Sequence, residues 1–242
     1  MIHLDSRNRT NQHDHNGQPV WQLKRPIACS TIRLLSAQIP HSFLTVSNDM
    51  PDTALQFQVG ATPLNVVLDP KHFTGTSLAA AIQSKVRALS GGAFAAFTCT
   101  FDQNTLRLTF GYSSTYTVIA TDRRMASLTG MVLNQVVFSS STLHPPNQIE
   151  LAPPCIYLVS SAIGPSCISG SKTSLVKPTF TIPCDQNVGS LISFSHSSHF
   201  DQTLDYGAGA KNEISEIDMR ITDQYGNTLD PSIPWCITMA YA

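Results

Sequence analysis

Apolar and polar residues alternate along both ends of the chain. Trp21 and Leu23 alternate, Pro26 interrupts, and Ile32 and Leu34 alternate before a second run from Leu35 through Ala37 to Ile39. Pro40 breaks that strand, Phe43 to Val46 resumes it, and Leu55, Phe57 and Val59 form another set. A period of two places side chains on one face of a strand. Four β segments are therefore predicted between Val20 and Val59, with no helix.

The middle of the chain changes period. Leu78, Ile82, Val86 and Leu89 are spaced by four, four and three, which predicts a helix over about 76–90, with Thr76 or Ser77 as N-cap and Gly91-Gly92 as its end. A hairpin follows: Phe97, Cys99 and Phe101 alternate, Asp102-Gln103-Asn104 turn, and Leu106, Leu108 and Phe110 alternate back. Tyr116, Val118 and Ala120 give one more strand. Beyond Gln148 the strand pattern returns at Ile149–Leu151, Ile156–Leu158, Leu175–Ile182, Leu191–Phe194, Ile214–Ile221 and Trp235–Tyr241. Asp223-Gln224-Tyr225-Gly226-Asn227 reads as a strong turn. A chain that closes on a strand must pair it, and an N-terminal strand would seal one sheet.

Short strands at both ends around one mixed stretch predict a mainly β protein. The expected architecture is a single jelly-roll β-sandwich formed by residues 1–59 and 144–242, with a small α+β subdomain inserted at 60–143.

Composition narrows the function. Only 13% of the 242 residues are charged, against about 25% in an average domain, and the formal net charge is −1. Serine (27) and threonine (23) take much of the polar role. Disorder is excluded by low charge with ordinary hydrophobicity, and charge-driven nucleic-acid binding by the lack of a basic surplus. Hydroxyls cost less to desolvate than charges, so a neutral surface suits permanent contact with other subunits. On that reading the few charges are expected on the insert and loop tips, with the jelly-roll flanks largely neutral. The N-terminus lacks a signal-peptide pattern, and no run approaches the ~18 apolar residues of a membrane span. Cys29, Cys99, Cys155, Cys167, Cys184 and Cys236 show no paired spacing and are expected to be small buried hydrophobes.

Candidate chemistry is sparse. His13-Asp14-His15 and His196-Ser197-Ser198-His199 with Asp201 have metal-ligand residue types, but neither has a third and fourth ligand at workable spacing. There is no Gly-x-Ser-x-Gly elbow and no HExxH. Tyr206-Gly207-Ala208-Gly209-Ala210 has two glycines of a dinucleotide loop without the helix that must follow. The doublets Lys24-Arg25 and Arg123-Arg124 are too small for a nucleic-acid face. No catalytic residue, cofactor or metal is assigned, and the chain is not expected to be an enzyme.

Four stretches carry a resemblance: Leu4-Asp5-Ser6-Arg7-Asn8-Arg9-Thr10; Pro26-Ile27 with Ile32 through Ile39-Pro40; Asn65-Val66-Val67-Leu68 through Phe73-Thr74-Gly75-Thr76-Ser77-Leu78; and Ile217 through Asp223-Gln224-Tyr225-Gly226-Asn227 into Trp235-Cys236-Ile237. In their order the chain resembles the penton-type minor capsid proteins at the vertices of virophages, polinton-like viruses and large DNA viruses of the double-jelly-roll lineage. It departs in the turn before the helix, where Phe73 and an added Thr74 precede Gly75. The resemblance implies a homopentamer that closes the fivefold vertices of an icosahedral virion, with the insert standing outward. The partners it implies are the double-jelly-roll major capsid protein and other minor capsid proteins, with a host receptor or fibre as a further partner of the insert; it implies no catalytic residues. Two other classes compete. A receptor- or carbohydrate-binding β-sandwich, a spike or fibre head, would stack sugars on Tyr112, Tyr116 or Tyr206. A β-sandwich hydrolase would need His196 and His199 beside an acid in one cleft.

Overall fold

Strands account for most of the regular structure in the computed structural model. It describes residues 1–8, 10–13, 19–48, 50–59, 62–89, 94–139, 141–163, 179–184, 186, 188–197, 202–206, 212–229 and 233–242. In chain order the first block holds β1 (Ile2–Asp5), a 3-10 turn at Ser6–Asn8, β2 (Thr10–His13), β3 (Pro19–Cys29) and β4 (Thr31–Pro40). The middle holds β5 (Leu55–Val59), β6 (Thr62–Asn65), α1 (Gly75–Ala88), β7 (Thr98–Asp102), β8 (Arg107–Gly111), β9 (Tyr116–Ala120), α2 (Arg123–Thr129), β10 (Val137–Ser139) and β11 (Thr142–Leu143). The last holds β12 (Cys155–Val159), β13 (Phe180–Pro183), β14 (Leu191–Ser195), β15 (Thr203–Asp205), β16 (Asn212–Asp218), β17 (Arg220–Thr222) and β18 (Cys236–Tyr241).

Two units divide these elements, Met1–Phe43 with Pro153–Ala242, and Leu44–Ala152. The first is a β-sandwich. Its largest sheet runs β1-β18-β4-β14, with β15 also on β4, and two three-stranded sheets run β13-β12-β17 and β16-β3-β2. Ile32, Leu34, Ile39, Ile156, Leu158, Phe180, Ile192, Ile217, Ile237 and Met239 from all three sheets share one buried core. The last strand does seal a sheet against N-terminal strands, with Ile2 opposite Met239 and Ile237 opposite Ala37. Pro26 does not end its strand. Ile27 faces Ile214 while Gln22 faces Glu216, so β3 bulges between them, where a residue without an N–H is tolerated.

The second unit packs α1 and two sheets, β10-β9-β5-β6 and β11-β8-β7, around Phe57, Phe97, Phe110 and Tyr116. Phe57 meets Phe97 edge to face at 5.1 Å, and Tyr116 Oη donates to the Phe110 carbonyl. The alternating hairpin is present, with Cys99 opposite Phe110 and Phe101 opposite Leu108.

Several expectations need correction. The insert begins at Leu44 and ends at Ala152, wider than 60–143, because β5 pairs with β9 and β6 and not with the flanking strands. The N-cap of α1 is Thr74, whose Oγ1 accepts from Ser77 N while Ser77 Oγ accepts from Thr74 N, a reciprocal capping box. The helix stops at Ala88 with Leu89 as C-cap; Gly91-Gly92 lie outside the described residues. A second helix, α2, starts where Asp122 accepts from the amides of Arg124 and Met125 and stops at Gly130 with φ 72°. Leu106 is exposed with φ 54°, closing the hairpin turn. Phe43–Val46 and Ile149–Leu151 form no strand, and Ile214–Ile221 splits into β16 on β3 and β17 on β12.

Candidate assembly surface

Hydroxyl and thiol side chains collect on the outer face of the largest sheet because its strands bury every second residue. Directly opposed residues share a face: Gln38 stands opposite both Ser193 and Cys236, Ser36 opposite Ser195 and Thr238, and Thr238 opposite His3. His3 Nδ1 and Thr238 Oγ1 lie 3.0 Å apart. The charges at the margins are Arg33, whose Nε donates to Thr203 Oγ1, the exposed Asp205 opposite Thr31, and the Asp5–Arg7 pair. Arg7 donates to both carboxylate oxygens of Asp5, and these bonds hold the Asp5 carboxyl at about 2. The result is a broad, nearly uncharged polar face.

The remainder of the sandwich is not neutral. Lys24 and Arg25 on β3 and Glu213 and Glu216 on β16 are exposed strand residues. Charges are therefore not confined to the insert and loop tips; the β3 bulge and the solvent-facing side of β16 carry them as well.

The candidate chemical groups do not converge. No cluster of three His, Cys, Asp or Glu occurs among the described residues. His13 lies on β2, while Asp14, His15, His199, Asp201, Cys167 and residues 207–210 lie outside the described residues. His196 is half-buried, its backbone N–H donating to the Leu35 carbonyl. Arg124 of α2 donates to Ser47 Oγ and the Leu44 carbonyl, an internal tie.

Two arrangements that spacing could not reveal do form. Cys184 Sγ lies 3.9 Å from His41 Nδ1, but that nitrogen is 2.7 Å from the Gln186 carbonyl and must donate to it, so it cannot take a proton from the thiol. Asp218 accepts from Ser160 Oγ, Ser161 Oγ and the amides of Ser161 and Ala162. Burial pushes its carboxyl up, and the hydrogen bonds outweigh burial and leave it lowered. It is a pinned anion that shapes the loop after β12.

The tyrosines proposed for sugar stacking are engaged. Tyr116 is buried, half-buried Tyr112 packs on Phe94 and Tyr116, and Tyr206 Oη donates to the Ile163 carbonyl. A pocket of about 200 Å³ beside Val46, Val66, Leu68 and Met125 in the second unit is below the ~300–1,000 Å³ usual for ligand sites.

No family model matches the chain, and no curated protein matches it. Among solved structures it is similar to the mavirus penton protein. That match has a TM-score of 0.47 and 10% identity, covering 98% of this chain and 90% of that one. A chain from the cryo-EM structure of the Sputnik virophage gives 0.28 and 13%, covering 98% of this chain and 96% of that one. Among the described residues no helix is long and apolar enough to cross a membrane.

Proposed function

We propose that this chain is a structural subunit of a viral capsid, a jelly-roll penton protein of which five copies close each fivefold vertex. The observation that carries the reading is the uncharged outer face of the largest sheet, built from Ser36, Gln38, Ser193, Ser195, Cys236 and Thr238. Burying such a face against neighbours leaves no unpaired charge, and its hydroxyls can pair across the contact or through water. The order of strands, insert and strands supports the same reading, since both ends of the chain build one sandwich and the middle folds as its own unit. The neighbours in the shell are a double-jelly-roll major capsid protein and other minor capsid proteins. Native mass spectrometry under assembly conditions tests it: a pentamer is expected. A stable monomer, or a trimer that binds glycans, overturns it.

A further inference from the structure

Sheet edges are templates for pairing with another strand, and folded proteins blunt them with charge, proline or a covering group. In the sandwich unit four edge strands, β13, β17, β16 and β1, are blunted in these ways. At β13 the Gln202 side chain accepts from Thr181 N and donates to Thr181 O, taking the place of a strand. At β17 the chain covers its own edge, with Leu229 N donating to Ile221 O and Thr222 bridging Thr228. The exposed Glu213 and Glu216 charge β16. At β1 the Asp5 carbonyl accepts from the Trp21 indole at 3.0 Å. In the second unit Pro63 interrupts β6, and Cys99 N on β7 donates to Gln83 Oε1 of α1.

Among the described residues β14 has none of these guards. Its five residues, Leu191–Ser195, include no charge, proline or glycine, and among the described strands it pairs with β4 alone. His41 N donates to Ser190 O and His196 N to Leu35 O, bracketing the strand. In an antiparallel ladder bonded residues alternate. Ile192 and Phe194 therefore bond to β4, while Leu191, Ser193 and Ser195 turn their amides and carbonyls outward. Leu191 and the nearby Val188 are each 49% exposed.

We infer that β14 pairs edge to edge with β14 of a second copy, antiparallel and centred on Ser193. In that register Ser193 faces itself, Leu191 faces Ser195, and Ile192 faces Phe194 twice, an aromatic and β-branched pairing that is favourable across strands. No charge meets its like, and the outward backbone groups at all three positions find partners. The contact is twofold, so it is distinct from a cyclic ring and stands without the function proposed above. Five residues of edge fall short of the roughly 1,000 Å² of a stable standalone interface, so the pairing is weak in solution and concentration-dependent.

Cysteine cross-linking of the full chain tests the register. Pairing about Ser193 brings the two α-carbons to about 5.5 Å, inside the ~4.4–6.8 Å a disulfide spans. Ser193→Cys is expected to link to itself under mild oxidation, with the junction found by peptide mapping, whereas Ser195→Cys links to Leu191→Cys and not to itself. Ser193→Pro removes an amide that the ladder turns away from β4 and is expected to abolish the 191–195 link. Absence of the 193 self-link, or self-linking of Ser195→Cys to the same extent, overturns the proposal. Should the cysteine variants not fold, sedimentation of the unaltered chain against Ser193→Lys reads the same contact. The lysine variant is expected to associate less at high concentration, and equal association overturns the pairing. Ser193 also stands on the face proposed above for assembly, so native mass is recorded on the same variants: a pentamer that persists in Ser193→Lys while association at high concentration falls assigns the loss to the strand pairing and not to the ring.

Discussion

The indole of Trp21 meets that of Trp235 edge to face, with ring centroids 5.6 Å apart. The two lie 214 positions apart in sequence and tie three segments together. Trp21 Nε1 donates to the Asp5 carbonyl, Trp235 N donates to Ser6 Oγ, and Ser6 N donates to Trp235 O. Both indoles are buried. Trp235→Ala is expected to cost about 3–5 kcal/mol, the range for truncating a buried aromatic. These are the chain's 2 tryptophans, so fluorescence-detected denaturant unfolding reads the junction directly, and Trp21→Phe should lose less.

Leu35 is the extra residue in β4. Ser36 faces Thr238 and Leu34 faces Met239, so the ladder skips Leu35, and burial switches from Ile32 and Leu34 to Ala37 and Ile39. Two alternating runs of opposite phase, Ile32–Leu34 and Leu35–Ala37–Ile39, were visible in the sequence, and a bulge is their physical meaning. Deleting Leu35 would force one register and turn half the strand's apolar set to solvent. Loss of cooperative unfolding and of native far-UV circular dichroism is expected, whereas Leu35→Ser keeps the residue count and should cost about 1 kcal/mol.

Local periodicity was legible where partners are near in sequence: the Cys99–Phe110 hairpin and the Leu78–Ile82–Val86 face. It could not show that Leu55 pairs with Ala120, since nothing in a strand's own pattern names a partner 65 residues away. That is why the insert's boundary was misplaced. α2 carried its signal in Asp122 and Gly130, a cap at each end, but seven residues are too few for a period to emerge. The neutral face of the largest sheet depends on register between Gln38, Ser193 and Cys236, so composition only foreshadowed it.

The cysteines divide by burial. The described ones form no disulfide, Cys29 and Cys99 are buried, and Cys155, Cys184 and Cys236 are partly exposed. Burial pushes the Cys99 thiol up to about 12 and raises Cys29 as well. The thiolate is the reacting form, so a maleimide or iodoacetamide pulse on the native chain is expected to modify the partly exposed group first. Labelling of Cys99 should follow only global unfolding, and its rate under native conditions therefore measures that opening.

Gly75 begins α1 against the ring of Phe101. A methyl group added there would lie 2.4 Å from Phe101 Cε1, closer than van der Waals contact allows. Gly75→Ala is expected to cost about 1–3 kcal/mol by overpacking, although alanine is the better helix former. Phe101→Leu in the same chain should recover part of that loss. A double-mutant cycle by thermal or denaturant unfolding checks the coupling; strict additivity would mean that the ring is not the obstacle.

The Asp5–Arg7 pair predicts how acid acts on the N-terminal segment. Arg7's side-chain hydrogen bonds, with its backbone N–H adding to them, lower the Asp5 carboxyl from 3.8 to about 2. A carboxylate whose folded value lies below its unfolded value stabilises the fold above the unfolded value, and that contribution disappears as pH falls through the folded one. The contribution of this pair is therefore whole above about pH 4 and gone below about pH 2. Asp5→Asn keeps the shape and removes the charge, so it should be less stable than the unaltered chain at neutral pH, with the difference closing between pH 4 and pH 2. Denaturant midpoints at pH 7, 4 and 2 read this directly. Because Asp5 also offers its carbonyl to Trp21, the tryptophan fluorescence of Asp5→Asn at neutral pH is expected to approach that of the unaltered chain near pH 2; spectra that stay unlike would separate the ion pair from the junction it borders.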